Sequence, residues 1–233
     1  MQQSVKLRIP RFRRFTNVQL LVALALLFFF FPYVEDVKGG DIIVSILLSV
    51  VLLCAVLAVA ESKSVLMIAI VLAIPAIAGR WISHFRPDLV PPPVFLTAGL
   101  VLIAFVVANL LRFVLRAPSV NMDVLCASLS AYLMLGLLWT VAYWLVDQLT
   151  PGGAFAFNTN EGRQSIRGFN AFYFSFVTLS TVGYGDITPV SKVARMLAAM
   201  EAMTGLLYVA VLIARLVSLY SAPKSRTDLI NKE

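Results

Sequence analysis

Charge is scarce in this chain of 233 residues: Asp, Glu, Lys and Arg together make up 13% of it, about half the share of an ordinary soluble domain. Histidine occurs once, as His84, and cysteine twice, as Cys54 and Cys126. One histidine leaves no histidine-based metal cluster and little room for a His-dependent triad. Both cysteines fall inside apolar runs, so a disulfide framework or a CxxC metal site has no support, and they read as packing residues. There is no GxxxxGK[ST], no GxGxxG after a strand and no HExxH. Catalytic chemistry is thinly supplied, and an enzyme is the weakest class.

What fills the chain instead is apolar. It is 60% hydrophobic with a mean hydropathy of +0.89. A single soluble core of this size cannot hide that excess, because it still needs a polar skin. Disorder is excluded by the same figures. The solvent for this composition is a bilayer.

Six apolar runs are each about long enough to cross some 30 Å of hydrocarbon as a helix. They are Val18–Val34, Ile42–Ala60, Val65–Ile82, Val94–Leu115, Val124–Val146 and Val193–Val217. Pro75 lies within the third and predicts a kink, tolerable where neighbours re-satisfy the backbone. Charged turns separate the early runs: Glu35-Asp36-Val37-Lys38-Gly39-Gly40-Asp41 and Glu61-Ser62-Lys63-Ser64. Pro91-Pro92-Pro93 cannot continue a helix but can lead into one. No internal repeat is visible. The basic start, followed by an apolar run, differs from a secretory signal because Phe28–Phe31 and Pro32 lead into no small-residue cleavage site.

Lysine and arginine set the orientation. With six spans both ends share a side, which then holds Lys6, Arg8, Arg11, Arg13, Arg14, Lys63, Arg112, Arg116, Arg215, Lys224, Arg226 and Lys232. The other side receives Lys38, Arg80, Arg86, Arg163, Arg167, Lys192 and Arg195. The excess predicts cytoplasmic termini. The division expected is a basic cytoplasmic segment 1–17, a four-helix membrane region 18–116, a distinct region 124–217 and a short cytoplasmic tail 218–233. The first five basic residues set topology, and the same charge suits anionic headgroups. Lean linkers suggest a prokaryotic inner membrane.

Between the fifth and sixth runs lies a stretch that is neither span nor simple loop. Thr150-Pro151-Gly152-Gly153 opens it as a turn, and a polar segment follows. Gly168 to Ser180 is then an apolar run of only thirteen residues, too short to span and long enough for a re-entrant helix. Directly after it stands Thr181-Val182-Gly183-Tyr184-Gly185-Asp186.

This string resembles the selectivity-filter signature of potassium channels. The order outer helix, turret, short pore helix, filter and inner helix is similar to that family's pore region over about 124–217. The resemblance implies an all-α transmembrane fold with a re-entrant pore helix, in a fourfold symmetric homotetramer that passes K+ as permeant ion. It implies no cofactor and no nucleic-acid partner. The physics supports the same picture: one strand cannot encircle an ion, and polar backbone at membrane depth must be buried or line an aqueous path. Carbonyls replace the hydration shell only if successive peptides point into one axis. That needs left-handed backbone at alternate positions, which Gly183 and Gly185 tolerate.

By resemblance, the carbonyls of Thr181, Val182, Gly183 and Tyr184, with the Thr181 hydroxyl, form stacked K+ sites. Val182 and Tyr184 then point away from the ions. Tyr173 and Phe174 occupy positions similar to the family's aromatic cuff, a role compatible with plain packing. Some relatives carry glutamate at the position of Val177 to pair with the filter aspartate. Here that partner is absent, so Asp186 needs another or faces solvent at the outer mouth. Gly205 is either a hinge or a close-packing point. Leu206, Val209 and Ile213 would face the cavity and Val217 the lower constriction, apolar residues that suit a gate closing by dewetting.

Two ionisable residues remain. Glu201 lies inside the last span, and such a residue is functional by default. Its helical offset from Leu206 turns it toward the pore helix, predicting a hydrogen-bonded strut to Ser175 or Thr178 rather than pore lining. His84, in an outer loop beside Arg80, Arg86 and Asp88, is a proton sensor or a solvated residue. The fourth run bears no arginine ladder. Arg112 and Arg116 come only at its cytoplasmic end, where snorkelling explains them, so steep voltage dependence is not expected. No ligand-binding domain is expected beside the spans. Two rivals keep the pore fold: a non-conducting structural subunit, disfavoured by the intact Thr181–Asp186 string, and a potassium-uptake transporter subunit, disfavoured by the single copy of the filter.

Overall fold

The computed structural model describes residues 16–35, 37–60, 62–86, 88–119, 121–158 and 165–220. The basic residues Lys6 to Arg14 and the tail beyond 220 lie outside these. The long helices are α1 (Thr16–Val34), α2 (Gly40–Ala58), α3 (Lys63–Phe85), α4 (Pro92–Arg116), α5 (Met122–Leu149) and, after the short helix α6 (Gly168–Leu179), α7 (Lys192–Tyr220). Six of them are long and apolar enough to cross a membrane, and each contains one of the runs expected from the sequence to within two residues. Pro75 lies inside α3 without ending it. Large apolar side chains such as Val71 and Ile74 are more than half exposed, which is tolerable where the surrounding medium is lipid.

The helix starts follow from local chemistry. Ser62 Oγ accepts from Val65 N (3.3 Å) and Asn121 Oδ1 from Val124 N (2.9 Å), capping α3 and α5. The triple proline gives α4 its first residue, where a missing N–H costs nothing. Only 117–121 separate α4 from α5, so the two run back to back. α5 is the most buried helix, with Ala127, Ala131 and Met134 fully enclosed.

In lipid, helices associate through packing and interhelical hydrogen bonds rather than through a hydrophobic drive, each bond being worth about 0.6–2 kcal/mol. Arg80 Nε donates to Ser45 Oγ (3.1 Å) and Trp81 Nε1 to Ser49 Oγ (3.1 Å), tying α3 to α2. Asn17 Nδ2 donates to Asp123 Oδ1 (2.9 Å), tying the start of α1 to that of α5. Tyr208 donates to the Ser128 carbonyl (2.6 Å), tying α7 to α5, and Arg215 to the Ala117 carbonyl (2.7 Å), tying α7 to the end of α4. His84, expected in a loop, stands in the last turn of α3 with its ring against Phe85. Arg80 lies one turn earlier in the same helix.

Two short strands complete the fold. β1 (Phe155–Phe157) and β2 (Ile187–Pro189) pair antiparallel, with Ala156 opposite Thr188. β1 falls in the segment read from sequence only as polar, and β2 directly follows the Thr181–Asp186 string, where no strand was expected. The alternation Phe155-Ala156-Phe157 is the signal that marked one strand, and three residues are too few to stand out.

Candidate functional site

α6 is a twelve-residue helix wedged between α1, α5 and α7, and its beginning is held from α1. The Phe169 N–H donates to Glu35, with Oε1 at 3.0 Å and Oε2 at 2.8 Å. A carboxylate at a helix start satisfies an orphan donor and complements the dipole. Gly168 makes room for it: its φ is 55°, and a Cβ there would run into the Glu35 carboxylate. Below this cap, Phe28 meets Phe172 and Phe176 at 4.6 Å, and Phe31 meets Phe172 at 5.1 Å, all edge to face.

The flanks of α6 are held by close approach. On the α5 side, a Cβ on Gly136 would strike the Phe176 ring, so only glycine lets the two elements come this near. Opposite, a Cβ on Gly205 would strike the carbonyl oxygen of Leu179, the last residue of α6. Of the two readings of Gly205, the contact supports close packing, and α7 runs through it unbroken. Glu201, one turn earlier, has no exposed surface. Its Oε1 lies 2.6 Å from Ser175 Oγ and its Oε2 accepts from the Tyr143 hydroxyl, while its bonds do not extend to Thr178.

Beyond Leu179 the chain folds back on the helix end. Thr181 N donates to the Thr178 carbonyl (2.9 Å), Val182 N to that of Val177 (3.0 Å) and Gly183 N to the same oxygen (3.3 Å). Thr178 therefore touches the Thr181–Gly185 segment through its backbone. Among the described residues, none of the carbonyls of Thr181, Val182, Gly183, Tyr184 or Gly185 accepts a hydrogen bond. The backbone is left-handed at Thr181 (φ 60°), Gly183 (φ 56°) and Gly185 (φ 79°), and at neither residue between them. Thr181 extends the alternation that the two glycines suggest. For a β-branched residue this conformation costs about 1–2 kcal/mol.

The aromatic pair divides. Tyr173 stacks on Tyr184 with centroids 6.5 Å apart and planes 6° from parallel, and its hydroxyl faces Asp186. Phe174 turns to the other side of α6 and packs against Tyr143 (4.9 Å) and Phe155 (5.2 Å). Val182 and Tyr184 are 54% and 70% exposed in the single chain. So are Leu206 (65%), Val209 (43%), Ile213 (55%) and Val217 (57%) along α7.

The stretch after Gly185 is anchored by residues that the motif does not announce. Asp186 Oδ1 accepts from Ile187 N (3.0 Å), and the Asp186 carbonyl from Asn158 N (2.8 Å). The β1–β2 ladder continues from there, and behind it Asp147, at the end of α5, is almost fully buried. One of its oxygens accepts from Ala154 N (2.7 Å), the other from Ser165 Oγ (2.8 Å) and Ile166 N (3.2 Å). Sequence reading assigned neither Asp147 nor Glu35 a role beyond loop charge. Each lies within two residues of a span end and near a glycine-bearing turn, the one available signal.

An apolar bundle of six long helices thus embraces a short non-spanning helix, followed by a strand with unspent carbonyls. Residues 130–222 match the family model described as an ion channel. Two pore potassium channel b of Oryza sativa subsp. japonica is 34% identical over 87 residues, which cover 37% of this chain and 21% of that protein. Two-pore potassium channel 4 of Arabidopsis thaliana is 43% identical over 65 residues, covering 27% of this chain and 23% of its own. The matched stretch spans about a fifth of either relative. The 130–222 region is thus similar to the ion channel family model and to segments of proteins named potassium channels.

Proposed function

We propose that this protein is a potassium-selective channel, assembled as a fourfold symmetric homotetramer, that conducts K+ passively down its gradient. The observation that carries the reading is the strand Thr181–Gly185: its φ alternates in sign, its first amides are spent on the helix behind it, and its carbonyls are unspent. A potassium ion leaving water needs oxygens in place of its hydration shell, and such a strand offers them at fixed spacing. One strand presents a single column, so four copies closing on an axis are required. The exposed face of Leu206, Val209, Ile213 and Val217 would line the cavity and the constriction below it. Asp186, opposite Tyr173, would form a ring of carboxylates that concentrates cations at the outer mouth.

α4 carries Arg112 and Arg116 at one end only. Steep voltage gating requires several charges per subunit crossing the field, so the proposed channel is not strongly voltage-gated. The lysine and arginine distribution supports cytoplasmic termini, in keeping with a prokaryotic inner membrane.

Flux into liposomes under K+ and Na+ gradients, with and without barium, tests the reading. Potassium-selective, barium-blocked flux is the expected result. Equal Na+ and K+ flux would overturn it, because the filter would then lack the geometry argued above.

A further inference from the structure

Three elements meet at the buried carboxyl of Glu201, and the hydrogens available there can be counted. Oε1 lies 2.6 Å from Ser175 Oγ on α6, and Oε2 bonds the Tyr143 hydroxyl on α5. Ser175 Oγ lies in turn 2.8 Å from the carbonyl oxygen of Gly136, which also accepts from Thr140 Oγ1 at 2.8 Å. A carbonyl has no hydrogen to give, and a serine has one.

Suppose the carboxyl were ionised. Ser175 would have to give its hydrogen to Glu201, and then Ser175 Oγ and Gly136 O would face each other as two acceptors at hydrogen-bond distance. The alternative bond, Ser175 to Gly136, would set the serine oxygen against a charged one instead. A proton on Oε1 resolves both conflicts. Oε1–H donates to Ser175, Ser175 donates to Gly136, and Tyr143 donates to Oε2, so every hydrogen is used. Moving that proton to Oε2 strands the Tyr143 hydrogen and restores the clash.

The surroundings point the same way. α5 presents Tyr143 and Tyr132 to this carboxyl and α6 presents Ser175. Among the described residues no lysine or arginine pairs with it, and Glu201 has no exposed surface even in the single chain. An unpaired charge so placed is costly.

We infer that Glu201 is a proton-carrying acid in the folded protein, the first donor of a relay from Glu201 through Ser175 to Gly136 that fastens the pore helix between α5 and α7. It is a positioning residue, and it lies outside the proposed ion path. The relay acts at the crossing where Gly136 brings α5 against α6, so a single proton links the two spans through the short helix.

Infrared spectroscopy of the purified protein at neutral pH decides the question. The expected result is a protonated-carboxyl C=O band that moves down with 13C-glutamate labelling, shifts in D2O and is absent from Glu201→Gln. Ser175→Ala should move the same band, because the hydrogen-bond partner of the acid changes. Glutamine reproduces the donor and the acceptor of a neutral acid, so E201Q should keep the thermal midpoint while Glu201→Asp, which withdraws the group by one methylene, lowers it. Should E201Q fail to fold, the labelled wild-type band and its shift in S175A still assign the group. Ionised-carboxylate bands alone, with no acid band that responds to S175A, would overturn the inference. Neither readout requires conduction, so a protein that passes no potassium would sink the channel reading and leave this one to stand or fall on its own spectrum.

Discussion

Replacing Gly205 by alanine separates a hinge from a packing point, and the structure supplies the terms. A Cβ at Gly205 would meet the Leu179 carbonyl oxygen well inside contact distance, with the Leu179 carbonyl carbon and Cδ1 both at 3.0 Å. The obstacle is backbone. It is the last carbonyl of α6, two residues ahead of Thr181, so it cannot yield without moving the Thr181–Gly185 segment. Overpacking of this kind costs about 1–3 kcal/mol, and a backbone obstacle belongs near the top of that range. Against it stands the gain from placing alanine rather than glycine inside a helix, about 1 kcal/mol. The net expectation is a loss of about 1–2 kcal/mol. Gly99 in α4 is the control, because a Cβ there meets nothing within 4 Å. Gly99→Ala keeps only the propensity term and should gain up to about 1 kcal/mol.

Heating wild type, G99A and G205A in detergent while following tryptophan fluorescence orders the three. The expected order of midpoints is G99A, wild type, G205A. If Gly205 served as a free hinge, G205A would melt with or above wild type and lose only the ability to open. That outcome would refute the packing argument and restore the hinge.

Three further results are expected. Asp147→Ala should cost about 3–5 kcal/mol, because two backbone amides and the Ser165 hydroxyl lose a buried acceptor; unchanged resistance to proteolysis of the 150–166 segment would count against this. Glu35→Ala and Gly168→Ala should each destabilise by about 1–2 kcal/mol, from the lost helix cap and from a clash added to a left-handed backbone. The double variant should cost less than the sum, since removing the carboxylate removes the clash, and strict additivity in a double-mutant cycle would argue that the two residues do not touch. Asp186→Asn should lower K+ flux at low ionic strength and much less at high, because exposed charge is screened within about 10 Å at 0.1 M salt; a loss independent of salt would assign Asp186 a structural role instead.

Legibility in the sequence followed the range of the interactions. Spans are read from composition over about twenty residues, and every one of the six was visible, as was the short helix from Gly168. The ends were less so: α3 and α5 each run three residues beyond the apolar run, since capping and tertiary contacts decide termini. Within Thr181–Gly185, glycine announced two of the three left-handed positions, and Thr181 could not announce the third, because its own preference runs the other way. The contacts that hold α6 were mostly silent. Glu35 and Phe169 are bonded across 134 positions, and Tyr143 and Glu201 across 58. No periodicity connects such residues. Glu201 was the exception, because a carboxylate in an apolar run is conspicuous by itself, and helical geometry then aimed it at the short helix with Ser175 and Thr178 as candidates, of which Ser175 bonds it.

The placement of these long-range contacts bears on why four helices precede the ion-channel segment. α1 reaches that segment at both of its ends: Asn17 bonds Asp123 at the start of α5, and Glu35 caps α6. Between the two, Phe28 and Phe31 press on Phe172 and Phe176. A helix pinned at both ends to its neighbour cannot tilt without straining one pin, and the upper pin bears on the helix that carries the filter. The remaining face of α6 is closed by α5 and α7 through Gly136, Gly205 and the Glu201 cluster. α6 is therefore located by contacts made within one chain, whereas closure of the proposed conducting ring would come from other copies. Those two requirements can fail separately. Damage to Glu35 or Glu201 should leave chains that still associate but with a displaced filter, while damage to the exposed face of α7 should leave an intact filter with nothing to close against.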